Sequence, residues 1–563
     1  MQAAAGDEVR VAQVRDDVPR GGVLTELHHG DSLGRDPTPA GRVSGRWPGV
    51  HPDVRSWSSR APTVRSVMSR GVVGSVLVLL GGLVVATIPP SAAVADVDLL
   101  EALRGAAVGR MTGLVVVLVG LGMLASAWLH LCRAASRADE ADQPAALARV
   151  RATTIAWSLP LLLAPPLFSR DGWSYAAQGT MAHRGISPYD HGPWSLVGPR
   201  SVPGPIVEGV DPRWMATPTP YGPVPLIGGD LAAGLTSDPW LLVVAHRAIA
   251  LVGLVLLAWA VPRLARWCGA NPALASALVL ASPLMVSNGV AGLHNDLLMV
   301  GLMAAAVVVA REHGWVAGAV LGGLAAGVKL PGGLACVAIV LLTAPAAATV
   351  ATRLRHTVRV GVVAVAALVL PGVVWGLGVG WFNALAVPGT VNTPLSLPTL
   401  VGGWLDLVLQ LVGLGTPDET FLDLVRLLAQ VAIVGIVGWV LLKHPTGDRG
   451  GAVRSLALVM IAVVALSPVV HLWYFLWVVP FVAVQRIGRG AMLALVAVSL
   501  VSGLVAPMDS SLHGAYLAIV IGSLVVAAAA VLLLITRRAR ERLAGISTEA
   551  WTSSIDATVA DHG

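Results

Sequence analysis

Charge is scarce in this sequence: only 12% of its 563 residues are Asp, Glu, Lys or Arg, while 55% are hydrophobic and the mean hydropathy is +0.75. A soluble domain of this length has no core large enough for so much apolar surface, so a soluble globular fold is excluded and a polytopic membrane protein remains. Lysine is nearly absent, with Lys329 and Lys443 alone against 36 arginines. That bias reads as the codon preference of a high-GC genome. The formal charge of +6 then reports membrane topology and not a nucleic-acid partner. Cysteine is also rare. Cys132, Cys268 and Cys336 lie in or beside apolar runs without CxxC spacing or histidine neighbours, which excludes a disulfide framework and a zinc site. The sequence has no Walker loop, no GxGxxG opening a helix and no GxSxG elbow, so ATP as direct donor is unsupported and no cofactor is implied.

What is present is a series of apolar runs. Residues 1–70 are rich in Arg, Gly, Pro, Asp and Ser with little periodicity and read as a disordered cytoplasmic tail, with no signal peptide expected before the first run. Candidate spans fall at about 72–90, 112–132, 152–168, 240–262, 272–289, 294–310, 360–381, 421–442, 454–470, 471–486, 490–507 and 514–536. Two more are compressed into 315–350, giving an all-α membrane domain over 71–536 with about 14 transmembrane helices. Residues 537–563 read as a C-terminal cytoplasmic tail. With the N-terminus inside, arginines gather in alternate short loops, whereas 382–420 has no Lys or Arg. The same rule makes 315–350 two crossings with Lys329 at the outer turn, because a single crossing would put Arg353, Arg355 and Arg359 outside. Apolar 395–414 is then re-entrant or lies on the outer surface.

This topology puts a large loop, 169–240, outside. It carries Trp173, Trp194, Trp214 and Trp240 and three of the five tyrosines, so parts of it are expected in the headgroup layer. Asp171 follows the apolar run that ends at Leu167-Phe168. If Asp171 caps a short helix, Tyr175 and Gln178 share its face at i+4 and i+7, and Gly185 after His183-Arg184 is a natural stop. The functional role for Asp171 is a general base taking a hydroxyl proton; the alternative is a helix cap. Tyr221 sits in the rigid turn Pro218–Pro223 as an anchor or a sugar-stacking ring. His294-Asn295-Asp296 enters an apolar helix, where such groups are costly unless paired or used, helix capping being the alternative. Lys329 is a point charge suited to phosphate or a snorkelling lysine. His471 and Tyr474, three apart, can share a face. Arg247 and Arg426 are further phosphate ligands to consider.

These pieces resemble a known family. Ser169-Arg170-Asp171 with Ser174–Gly179, then Gly185, Pro188-Tyr189, His191-Gly192-Pro193, Thr217-Pro218, Pro220–Pro223, His294-Asn295-Asp296, Lys329-Leu330-Pro331 and His471–Tyr474 are similar to the polyprenol-phosphate-mannose-dependent α-(1→6)-mannosyltransferases of actinobacteria. That family belongs to the GT-C superfamily of membrane glycosyltransferases. Gly172-Trp173 departs from the aliphatic-aromatic pair usual after the acid.

The resemblance implies a catalytic domain over 71–536 whose outer loop, 169–240, carries short interfacial helices. It implies inverting transfer of mannose from polyprenyl-phosphate-mannose to a lipid-linked α-(1→6)-mannan acceptor, on the outer face of the plasma membrane, in lipomannan and lipoarabinomannan core synthesis. Asp171 maps to the general base. Tyr175, Gln178, His183, Arg184, Tyr189, His191, Tyr221, His294, Asn295, Asp296, Lys329, His471 and Tyr474 become candidate substrate-binding residues, with Lys329, Arg247, Arg184 or His471 on the leaving phosphate. The competing readings are a transporter or flippase of a lipid-linked sugar, and a related transferase of another sugar such as arabinofuranose. No internal repeat supports the transporter.

Overall fold

Polar caps set beside the apolar runs decide where the helices begin. Asp238 accepts from Leu241 N, Asn271 from Leu274 N, Thr349 from Thr352 N, Ser396 from Thr399 N and Asp448 from Gly451 N, three of them with proline in the first turn. The computed structural model describes residues 64–198, 206–383, 387, 391–413, 419–508, 516–538 and 541. Most of the expected N- and C-terminal tails lie outside the described residues, but the first helix already begins at Val64, inside the stretch expected as tail.

The helices, in order, are α1 (Val64–Val85), α2 (Asp98–Gly105), α3 (Ala107–Ser136), α4 (Gln143–Ser158), α5 (Asp171–His183), α6 (Pro223–Leu235), α7 (Pro239–Trp267), α8 (Pro272–Leu280) and α9 (Asp296–Glu312). They continue with α10 (Trp315–Val328), α11 (Ala335–Thr343), α12 (Val350–Val374), α13 (Leu397–Leu411), α14 (Thr420–Lys443), α15 (Arg449–Leu466), α16 (Val479–Ala483), α17 (Arg489–Leu504) and α18 (Tyr516–Ile535).

Among the described residues six helices are long and apolar enough to cross a membrane: α1, α3, α7, α12, α14 and α15. A seventh follows if α8 and the π-helical turn Met285–Ala291, bent by 57°, count as one broken span. Only 22% of the apolar window of α12 and 17% of that of α14 is buried within the protein. The remaining surface is dressed with Val, Leu and Trp, as a lipid-facing helix requires. The chain is therefore a helical membrane protein. The count of about 14 is not reached on helix length, because several expected spans are shorter apolar helices interrupted by polar breaks; Trp315–Val328 and Leu330–Thr343 meet at Lys329 in this way.

Those breaks position the site. Arg247, fully buried on α7, donates to the carbonyls of Leu162 and Pro165 ahead of α5, and of Val290 and Ala291 ahead of α9. Leu167 N also bonds Ala291 O at 3.0 Å. One guanidinium thus joins two loops about 125 residues apart in sequence and satisfies carbonyls left bare by the helix ends. Each loop then passes through a buried non-glycine residue at positive φ, Phe168 at 66° and Leu293 at 56°. Such conformations cost about 1–3 kcal/mol and persist only where surrounding packing enforces them.

The 169–240 segment folds α5 onto α6 and the start of α7 over a small core. Trp173 belongs to that core; it is fully buried and donates to Thr87 O at 3.1 Å, so it is not a headgroup anchor, whereas Trp194 is exposed.

Candidate active site

α5 begins one residue earlier than a cap at Asp171 would require. Arg170 holds the cap position, Asp171 is the first helical residue, and its own N–H donates to Ser169 Oγ at 3.1 Å. The Asp171 carboxylate makes no capping bond. It faces the interior of the site, with His294 Nδ1 at 3.4 Å and the Tyr175 hydroxyl at 3.4 Å, both reaching Oδ2. The His294 approach is within ion-pair distance but is too bent to count as a hydrogen bond. Tyr175 OH in turn lies 3.3 Å from Tyr221 OH, the two rings meeting edge to face. Helical spacing does bring Asp171, Ser174, Tyr175 and Gln178 to one lining face, and Gly185 at φ 69° follows the helix end.

Gly172 is required by the approach of the second loop. A Cβ there would come within 2.7 Å of Pro166 Cγ and 2.8 Å of Leu293 Cδ2. The departure Gly172-Trp173 thus permits the close fit that holds His294 beside Asp171. On the other side, Gly222 packs where a Cβ would be 2.3 Å from Gly327 O, and its N–H reaches Val328 O. That contact sets Tyr221 against Lys329, whose Nζ is 5.8 Å from the Tyr221 ring centre.

Lys329 ends α10 in extended conformation. Its Nζ pairs with Asp296 Oδ1 at 3.0 Å and lies 4.6 Å and 5.1 Å from the Tyr474 and Trp477 ring centres. Asp296 is completely buried; Trp477 Nε1 also donates to Oδ1 at 2.6 Å, and Oδ2 has no partner. Neither Asn295 nor Asp296 uses its side chain to cap α9. The aromatic side follows from a 3-10 turn over Leu472–Trp477, in which side chains three apart eclipse. Tyr474 stacks on Trp477 at 4.1 Å and His471 meets Tyr474 edge to face at 5.6 Å. Trp473 is sandwiched between the His294 and His471 rings, at 3.8 Å and 4.4 Å.

Asp171, Tyr175, Tyr221, Lys329, His471, Trp473 and Tyr474 line one open cavity. Burial raises the Asp171 carboxyl, but His294 and then His471 and Lys329 act more strongly in the other direction, so it titrates below the usual carboxylate range. Burial, then neighbouring Tyr221 and Asp171, push Tyr175 well up, and burial likewise raises Tyr221, so both remain neutral phenols. Burial lowers His471 to about 4. Around Asp171 the site therefore offers an ionised carboxylate, the phenols of Tyr175, Tyr221 and Tyr474, and the paired ammonium of Lys329. Among the described residues no group of three or more His, Cys, Asp and Glu is arranged to hold a metal ion.

Residues 68–347 match the family model described as Alpha-(1->6)-mannopyranosyltransferase, N-terminal domain, and residues 398–537 match the MptB C-terminal domain. Alpha-(1->6)-mannopyranosyltransferase A of Mycobacterium tuberculosis is 31% identical over 464 residues, covering 79% of this chain and 85% of the relative. The chain belongs to this family. A second relative, Alpha-(1->6)-mannopyranosyltransferase A of Corynebacterium glutamicum, is 30% identical over 382 residues, covering 64% of this chain and 76% of the relative. No solved structure matches. As a member of the α-(1→6)-mannopyranosyltransferase family, the chain is a glycosyltransferase.

Not every residue singled out in this family member reaches the cavity. Asp171, Tyr175, Gln178, Tyr221, Lys329, His471 and Tyr474 line it. His294, Asn295 and Asp296 are buried behind that lining. His183 is exposed and pairs with Asp230 at 2.9 Å, while Arg184 and His191 are exposed on the surface. Tyr189 is buried in a separate apolar cluster with Leu226 and Trp381. The four lie past or at the end of α5, where the chain turns away. Arg247 is used up by backbone carbonyls, and Arg426 bonds Asn392 and Thr399 at the start of α13. The lining also includes Ser174, Arg170, Asp211, Arg213, Trp214 and Trp473. For Ser174 the i+3 spacing from Asp171 was a usable signal; for Asp211–Trp214 the sequence has no periodicity that would have found them.

Proposed function

We propose that the enzyme transfers mannose from polyprenyl-phosphate-mannose to a lipid-linked α-(1→6)-mannan acceptor with inversion, and that Asp171 is the general base. The observation that carries this reading is one cavity lined by both an ionised carboxylate, Asp171, and an ammonium, Lys329. The acceptor O–H gives its proton to Asp171 as its oxygen bonds to C1 of the donor sugar. The C1–O bond to phosphate breaks on the opposite face and its electron pair stays on the phosphate oxygen, near Lys329. A low carboxylate pKa suits this order of events, because an oxocarbenium-like centre forms first and the proton leaves late. Tyr175 and Tyr221, held as neutral phenols, stand between the two charges and keep the base oriented. The leaving phosphate needs no acid.

The donor lipid, the outward-facing site at the plasma membrane, a total near 14 crossings and the division into tails and one catalytic domain over 71–536 belong to the same reading. They are supported by the alternation of arginine-bearing loops and by the short apolar helices that flank the site. The test is transfer from radiolabelled polyprenyl-phosphate-mannose to a short α-(1→6)-mannoside, in membranes carrying the native chain or Asp171→Asn at matched expression. Transfer by the native chain and loss of roughly 100-fold or more in the variant is expected. Full activity in Asp171→Asn overturns the base assignment, and no transfer by either chain overturns the donor.

A further inference from the structure

The cavity extends beyond the groups that the transfer step uses. Its lining also includes Arg170, Asp211, Arg213, Trp214 and Thr217, together with Ser174 and Gln178 on α5. Three features there suit a neutral sugar. Ser174 is buried and lines the cavity, and its Oγ has no hydrogen-bond partner within the protein. Asp211 accepts from Arg213 three times, from the backbone N–H at 3.0 Å, Nε at 3.0 Å and the terminal guanidinium nitrogen at 2.8 Å. This fork fixes an otherwise exposed arginine and largely neutralises it, which favours hydroxyl groups over a second phosphate. Trp214 follows directly and is only partly covered. An indole beside fixed polar groups matches a pyranose, whose C–H face is apolar and whose edge carries hydroxyls.

We infer that Ser174, Asp211, Arg213 and Trp214 form a second saccharide subsite, which holds the sugar next to the accepting residue and makes the enzyme favour acceptors of more than one unit. This inference rests on the glycosyltransferase reading of the inner cavity. The ligand class is a neutral hexopyranose within an oligosaccharide. Stacking and one or two hydrogen bonds from these residues add affinity without touching the reacting atoms, so the subsite acts on acceptor KM more than on kcat.

The experiment compares kcat and KM for a monosaccharide glycoside and a linear α-(1→6)-linked tetrasaccharide, using the full-length chain in membranes. Native enzyme is expected to favour the tetrasaccharide. Trp214→Ala should reduce that preference by roughly tenfold, through the tetrasaccharide KM. Arg213→Gln should reduce it less, and Trp214→Phe, which keeps a ring, should restore much of it. Equal losses on both acceptors, or a preference unchanged in Trp214→Ala, overturn the subsite while leaving the transferase intact. If Trp214→Ala does not accumulate, Trp214→Phe and Arg213→Gln decide the matter by the same ratio. Absence of transfer by the native chain to either acceptor overturns the underlying reading as well.

Discussion

Replacing Lys329 with methionine tests the energetic logic of the site most directly. Asp296 has no exposed surface, and one of its oxygens has no partner. The other receives Lys329 at 3.0 Å and Trp477 at 2.6 Å. Taking away the ammonium leaves a buried carboxylate with a single neutral donor, a change that typically costs about 3–5 kcal/mol. Asp296→Asn leaves the opposite charge, but Lys329 reaches the cavity and three aromatic rings, so its cost should be smaller, about 1–3 kcal/mol. The double variant Lys329→Met/Asp296→Asn buries no charge. It should lose less than the sum of the singles, with a coupling of about 2 kcal/mol or more. The assay is denaturant unfolding of the purified chain in a fixed detergent, with all four proteins compared at one pH. Additive losses would refute the argument, because they would mean that the two charges do not depend on each other. Catalysis should separate from stability: the double variant recovers folding but remains poor at transfer, since in the proposed reaction the leaving phosphate has lost its cation.

Further outcomes follow from the same geometry. His471, held at about 4 by burial, stays neutral in the folded chain while the unfolded chain binds a proton near 6.5. The unfolded state therefore binds more protons between those values, and stability should fall as pH drops from about 6.5 to about 4. His471→Gln should flatten that part of the pH–stability curve, and an unchanged curve would rule the histidine out as its source. Gly172→Ala should cost about 1–3 kcal/mol and lower transfer, because the new methyl pushes against Pro166 and Leu293 and so against the His294–Asp171 contact. Normal activity in Gly172→Ala would show that the close approach of the two loops is not needed.

By itself the sequence determined the class of molecule. Scarce charge and long apolar runs leave only a helical membrane protein, and the family could be read from short motifs because each is a polar interruption of an apolar run. Local spacing also placed Asp171, Tyr175 and Gln178 on one face, since helical periodicity acts over a few residues. Tertiary structure alone decided which interruptions share a site. Asp171, His294, Lys329 and His471 come from four separate breaks and meet because Arg247 ties the first two loops together and α10 ends against Tyr221-Gly222. His183, Arg184, Tyr189 and His191, much nearer to Asp171 in sequence, fall outside because α5 ends at His183 and the chain turns away through Gly185. Arg247 and Arg426 resembled phosphate ligands until their carbonyl and side-chain partners were in view. A buried charge must be satisfied by whatever packing brings to it, and no window of sequence contains that partner.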